Sequence, residues 1–199
     1  MTQGGSDIDA PTILVVCTGN LCRSPYIERR LQAELDRSWG PAAVRVHSAG
    51  TDSRPGLPME VEARRRLQDA GGSGEGFMST RLTQSLVADA SLIITATRWH
   101  RSRVARIHPR ALRTAHALRD LAYLSPHVQR PQAASDTTAR AWLDAVARAV
   151  AAARGRIPPL PPEDAGIDDP IGKSGRAFDT MAAEIEQAIP PVVSMLARP

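Results

Sequence analysis

Cys17 and Arg23 are separated by five residues in the run Cys17-Thr18-Gly19-Asn20-Leu21-Cys22-Arg23-Ser24-Pro25. That spacing lets a loop curl with the sulfur under its centre and the guanidinium at its rim. Upstream, Ile13-Leu14-Val15-Val16 reads as a buried strand, and Pro25 suits the first position of a helix. The loop therefore caps a helix whose first N–H groups lack intrahelical partners, which makes it a seat for an anion, phosphate above all. Arg23 offers a planar fork that grips two oxygens at once, where a lysine would supply a point charge. Helix terminus and arginine both favour the thiolate of Cys17, and a thiolate is a nucleophile.

The rest of the chain has to position that loop. Its 199 residues fit one domain, read as residues 11–199 after a disordered 1–10, with enough chain for a substantial core. With 42% apolar residues and only 4% aromatic, the core material is Leu, Val, Ile and Ala. No apolar run reaches the roughly 18 residues of a membrane span, and the first ten residues lack a signal-peptide profile, so a cytoplasmic protein is expected. The net charge of +4 is spread along helical stretches such as 64–66 and 98–110. Without interleaved aromatics these read as solvated faces, and no nucleic-acid partner is expected.

Helical spacing of Ile27, Leu31 and Leu35 predicts a helix over 26–37, and alternation predicts a strand over 43–47. Further helices are expected over 59–70, 83–88 and 99–107, with an apolar strand over 91–97 and a weaker one over 114–118. Residues 126–162 look like a helical insertion, its helix over 137–154 capped by Ser135 and Asp136. A last amphipathic helix, 177–198, is expected to kink or break at Pro190-Pro191. Strands alternating with helices predict an α/β fold of three layers, a parallel doubly wound sheet with helices on both faces and its ligand site at the strands' carboxyl ends.

The nine residues from Cys17 to Pro25, with Ser48-Ala49-Gly50-Thr51 and Ile167-Asp168-Asp169-Pro170, resemble the low-molecular-weight protein tyrosine phosphatase family, which includes related arsenate reductases and arginine phosphatases. The resemblance implies a flavodoxin-like four-stranded sheet of order 2-1-3-4. It implies Cys17 as nucleophile, Arg23 as phosphate clamp, and Asp169 as the acid that protonates the leaving oxygen. Thr18, Gly19, Asn20, Leu21, Cys22 and Ser24 would line the bound phosphate, Ser24 steadying the thiolate and Asn20 shaping the loop. Ser48 would support the loop from the second strand. Asp168 reads either as a second carboxylate that keeps Asp169 protonated or as a solvated loop residue. For Cys22 the readings are a protective disulfide with an oxidised Cys17 or plain packing. His100 reads as structural or as part of the rim.

The expected reaction is hydrolysis of a phosphate monoester, protein phosphotyrosine, through a cysteinyl-phosphate, with no metal or cofactor. Two positions where the family carries aromatic walls depart from it: Ser53-Arg54-Pro55 and Ile171 contain no ring. The alternative is arsenate reduction with an external thiol, since Cys17 and Cys22 are the only cysteines. Arginine phosphatases carry Thr where Leu21 stands. A non-catalytic phosphoprotein-binding module is the third reading. Oligomeric state is not legible.

Overall fold

The structure, a computed structural model, describes residues 10–134 and 136–198. The disorder expected of the first nine residues and the cap expected of Ser135 lie outside the described residues.

Four parallel strands, β1 (Thr12–Cys17), β2 (Arg45–Gly50), β3 (Ala90–Thr95) and β4 (Ala115–Ala117), form one sheet of order β2-β1-β3-β4. The order expected from the resemblance is the one observed. β1 pairs along its whole length with β2, Cys17 facing Gly50, and with β3 on its other side. Because β1 is interior, both of its faces must be covered, which is why its sequence is an unbroken apolar run rather than an alternating one.

Alternation along β1 divides the core. Ile13 and Val15 meet Leu92 and Ile94 on one face, beneath α1 (Arg23–Trp39), α2 (Val61–Asp69), α5 (Leu118–Leu124), α6 (Ala139–Arg154) and α7 (Gly175–Leu196). Leu14, Val16 and Ile93 face the other way, against α3 (Gln84–Asp89) and α4 (Arg98–Ile107). Helix, sheet and helix make the expected three layers. Among the described residues no helix is long and apolar enough to cross a membrane.

Several elements differ from the sequence reading. α1 begins at Arg23, so Pro25 is its third residue, still within the first turn where a missing N–H costs nothing. β2 runs on through Ser48 and Gly50, because pairing with β1 carries it past the point where its own alternation ends. α5 had no periodic signal in seven residues. α6 starts at Ala139, capped by Thr138, whose hydroxyl accepts from the N–H of Ala141 at 3.2 Å, and not by Asp136.

The expected break at Pro190-Pro191 is absent: α7 continues to Leu196. The carbonyls that lose their donors belong to Glu186, half-buried, and Gln187, exposed. The neighbouring Ile189, Val192, Met195 and Leu196 are buried. Burying side chains of this size is worth about 1.5–3 kcal/mol each, enough to hold the helix across the missing bonds. Within 126–162, α6 buries Trp142, Leu143, Val146 and Val150 in the same core as α1 and α7.

Candidate active site

The loop of residues 18–22 forms where β1 ends. Cys17, 2% exposed, is the last residue of the strand, and its Sγ lies 2.9 Å from Ser24 Oγ. Asn20 Nδ2 donates to Ser24 Oγ at 2.9 Å, which leaves the hydroxyl proton of Ser24 to point at the sulfur. Such a proton stabilises a thiolate.

Asn20 is the bolt of the loop. Its backbone adopts φ 56°, a left-handed conformation that asparagine tolerates better than most residues. All of its side-chain polarity is used: Nδ2 also donates to Ser48 Oγ at 2.7 Å, and Oδ1 accepts from the N–H of Thr80 at 2.7 Å. Ser48 in turn donates a hydrogen bond to Glu28. Burial raises the pKa of Glu28, and the Ser48 hydroxyl opposes that by stabilising the carboxylate. Ser48 of β2 thus links Asn20 of the loop to Glu28 of α1. Glu28 and Thr80 had no signal in the sequence, since one reads as an ordinary helix glutamate and the other as a loop residue.

Gly50 lets β2 approach the loop closely. A Cβ there would stand 2.3 Å from the carbonyl oxygen of Thr18 and 2.9 Å from the N–H nitrogen of Asn20. Since both obstacles are backbone, Gly50→Ala is expected to displace the loop, costing about 1–3 kcal/mol of stability and weakening phosphate binding. Urea melts and phosphate titration of the variant check this; unchanged values for both overturn it.

Arg23 spans the opening. Its Nη1 donates to the carbonyl of Ile167 at 3.2 Å, and Nη2 reaches Asp169 Oδ2 and, at 3.4 Å, Thr18 Oγ1. Asp169 is thus brought to the rim from 146 residues along the chain, held also by the N–H of Ile171 on Oδ1 at 3.2 Å. Asp168 points into solvent instead, 93% exposed and 3.9 Å from Lys173, the arrangement of the solvated-loop reading. Cys22 lies in the apolar core, 3% exposed. Burial first, then the charge of Glu60, push its thiol pKa well up, which disfavours the thiolate a protective disulfide would need.

His100 is buried behind the loop, with Nε2 2.9 Å from Thr18 Oγ1 and Nδ1 2.7 Å from Thr97 Oγ1. Thr18 Oγ1 also accepts from Arg23, and His100 ties the loop to the start of α4 through both ring nitrogens. The imidazole is neutral, its pKa lowered to about 4 by burial and by the charge of Arg23. Edge-strand His116 is likewise lowered to about 3 by burial, then by Arg154 and Arg101. Both native values lie below the ordinary 6.5. As pH falls below that value, the unfolded chain takes up protons that the folded one refuses. Stability is full above pH 6.5 and declines below it, by about 2 kcal/mol per histidine at pH 5. Buried Glu28, with its raised pKa, acts the other way. The difference in urea midpoint between pH 7 and pH 5 is expected to shrink in His100→Gln; an unchanged difference overturns the assignment.

Fold and site together define a class: a buried cysteine beneath a loop crossed by an arginine, at the carboxyl end of a doubly wound parallel sheet. Residues 12–158 match the low molecular weight phosphotyrosine protein phosphatase family, and the chain belongs to it. Asp169 lies beyond the matched residues. Among relatives, the low molecular weight protein-tyrosine-phosphatase Etp of Escherichia coli strain K12 is 36% identical over 98 residues, 49% of this chain and 62% of Etp. The chain thus matches less than two thirds of that relative's length. The crystal structure of the Erwinia amylovora tyrosine phosphatase amsI shares the fold, with a TM-score of 0.66 at 24% identity over 95% of both chains. So does the YwlE arginine phosphatase from Geobacillus stearothermophilus, with a TM-score of 0.64 at 23% identity over 92% of this chain and 91% of that one.

Proposed function

We propose that the chain is a phosphatase that hydrolyses protein phosphotyrosine, a phosphate monoester, through a cysteinyl-phosphate on Cys17. It works in the cytoplasm, where a buried free thiol stays reduced. The observation that carries the reading is the convergence on one cup of the Cys17 sulfur, the Ser24 hydroxyl 2.9 Å from it, and an arginine that also holds Asp169.

In the first step the thiolate attacks phosphorus, forming the S–P bond as the bond to the tyrosyl oxygen breaks. Loop amides and the Arg23 fork hold the three remaining oxygens as their charge grows. Those oxygens take over the donors of Arg23; Asp169, released from the arginine, takes up a proton from solvent or from the binding phosphate monoester and gives it to the departing phenolate. In the second step Asp169 takes a proton from water, the water oxygen attacks phosphorus, and the S–P bond breaks to return the thiolate. Neutral His100 fixes Thr18, and with it the loop, without adding a second positive charge beside Arg23.

The family's aromatic walls are replaced by other apolar surface. Ile171 is 49% exposed two residues beyond Asp169, and Trp99 is 56% exposed with its ring edge-on to that of His100 at 5.1 Å. The test is a panel of phosphotyrosine, phosphoserine and phosphoarginine peptides, plus arsenate with an external thiol. Fastest phosphate release from phosphotyrosine is expected. Faster release from phosphoarginine overturns the substrate assignment. Thiol-dependent arsenate turnover without hydrolysis, or a phosphopeptide bound and never cleaved, overturns the phosphatase reading.

A further inference from the structure

A second concave site lies away from the Cys17 cup, against the free edge of β4. It is a cavity of about 280 Å³ between α4, α5 and the end of α6, near the lower end of the range that small-molecule sites occupy. Its walls divide into a cationic side, Arg98, Arg101 and Arg154, and an apolar side that includes Tyr123, Leu124 and Ile157.

The charges do not balance. Asp120 is the one acidic residue of the lining, and both its oxygens are taken by Arg98, at 2.8 and 2.6 Å. Arg101 and Arg154 have no carboxylate partner among the described residues. Arg101 donates to the backbone carbonyls of Ala115 at 2.7 Å and Leu112 at 3.2 Å, and Arg154 to that of Leu112 at 3.3 Å. Capping the edge of the sheet accounts for some of their donors and none of their charge. Burial and the neighbouring guanidinium groups lower the pKa of Arg101, as expected where positive charge is in excess.

His116 supplies a second, independent observation. It lines the cavity at 1% exposure, and its Nε2 is buried without a hydrogen-bond partner. The other ring nitrogen faces the backbone of Arg113, a contact that favours a proton there. Nε2 is therefore a bare acceptor, and leaving it unmet costs about 1–3 kcal/mol.

We propose that this cavity binds a small organic anion that carries an apolar ring and a hydroxyl or N–H donor. The anionic group sits on Arg101 and Arg154, the ring lies against Tyr123, Leu124 and Ile157, and the donor meets His116 Nε2. The site is separate from the proposed reaction at Cys17 and stands or falls without it.

4-Hydroxyphenylacetate has all three features and serves as the probe, titrated calorimetrically into the full chain. Saturable one-to-one binding is expected, weakened about tenfold or more in Arg154→Gln and unchanged in Arg23→Gln. The uncharged 4-hydroxyphenethyl alcohol and the hydroxyl-free phenylacetate should each bind several-fold more weakly. In the wild-type protein the ring proton signals of His116 should move with the titration, a reading that needs no variant to fold. No binding at millimolar probe, equal affinity for the uncharged alcohol, loss in Arg23→Gln instead of Arg154→Gln, or a static His116 each overturns the proposal.

Discussion

Cys17→Ser is expected to lower turnover of a phosphotyrosine peptide by a factor on the order of 10⁴–10⁶, the loss seen when a covalent nucleophile is removed from a site that otherwise stays intact. The hydroxyl of serine holds its proton far more tightly than a thiol does, and nothing in the cup can remove it. Ser24, a neutral hydroxyl that accepts from Asn20, is no base for a hydroxyl at position 17. The phosphate seat should survive, because it is built from loop amides and Arg23 and because Asn20 is tied to Ser24, Ser48 and Thr80 whatever stands at position 17. Calorimetric titration with inorganic phosphate should therefore give an affinity within a few-fold of wild type. Retained hydrolysis in Cys17→Ser would remove the covalent route altogether.

What could be read in the sequence was the local part of this design. The strand, the loop and the helix start lie in one continuous stretch, and their chemistry depends on spacing within it. Asp169 could be placed only through its resemblance to the family, because nothing in residues 167–170 says that they fold back onto Arg23. The bracing of the loop was partly hidden for the same reason. Glu28 and Thr80 act through contacts 20 and 60 residues away in the chain, and each has the residue type its own element would carry on a solvated face. His100 was legible as a rim or structural residue, and Thr97 stands only three residues before it, but its pairing with Thr18 needed the fold to bring the start of α4 to a loop 82 residues earlier in the chain. Pro190-Pro191 misled in the opposite sense: a local rule was overruled by the burial of Ile189 and Val192 on either side.

Asp169→Asn is expected to slow the first step, release of the phenol on forming the cysteinyl-phosphate, by about 10²–10⁴ for phenyl phosphate and far less for p-nitrophenyl phosphate. The two esters differ in how badly the departing oxygen needs a proton: phenolate is a strong base, and nitrophenolate leaves unaided. Asparagine keeps a single oxygen, which can still accept from the Nη2 of Arg23, and it gives up the acceptor that meets the N–H of Ile171; phosphate affinity, set by Arg23 and the loop amides, should change little. A residue that only positioned Arg23 would depress both esters by the same factor. The second step gives an independent reading, because Asp169 is also the base that activates water. With p-nitrophenyl phosphate the variant should release one equivalent of nitrophenolate per Cys17 in a burst and then turn over slowly, with phosphorus retained on the protein. Equal losses for the two esters, with no burst, would take the proton-transfer role from Asp169 and leave it a rim contact of the arginine.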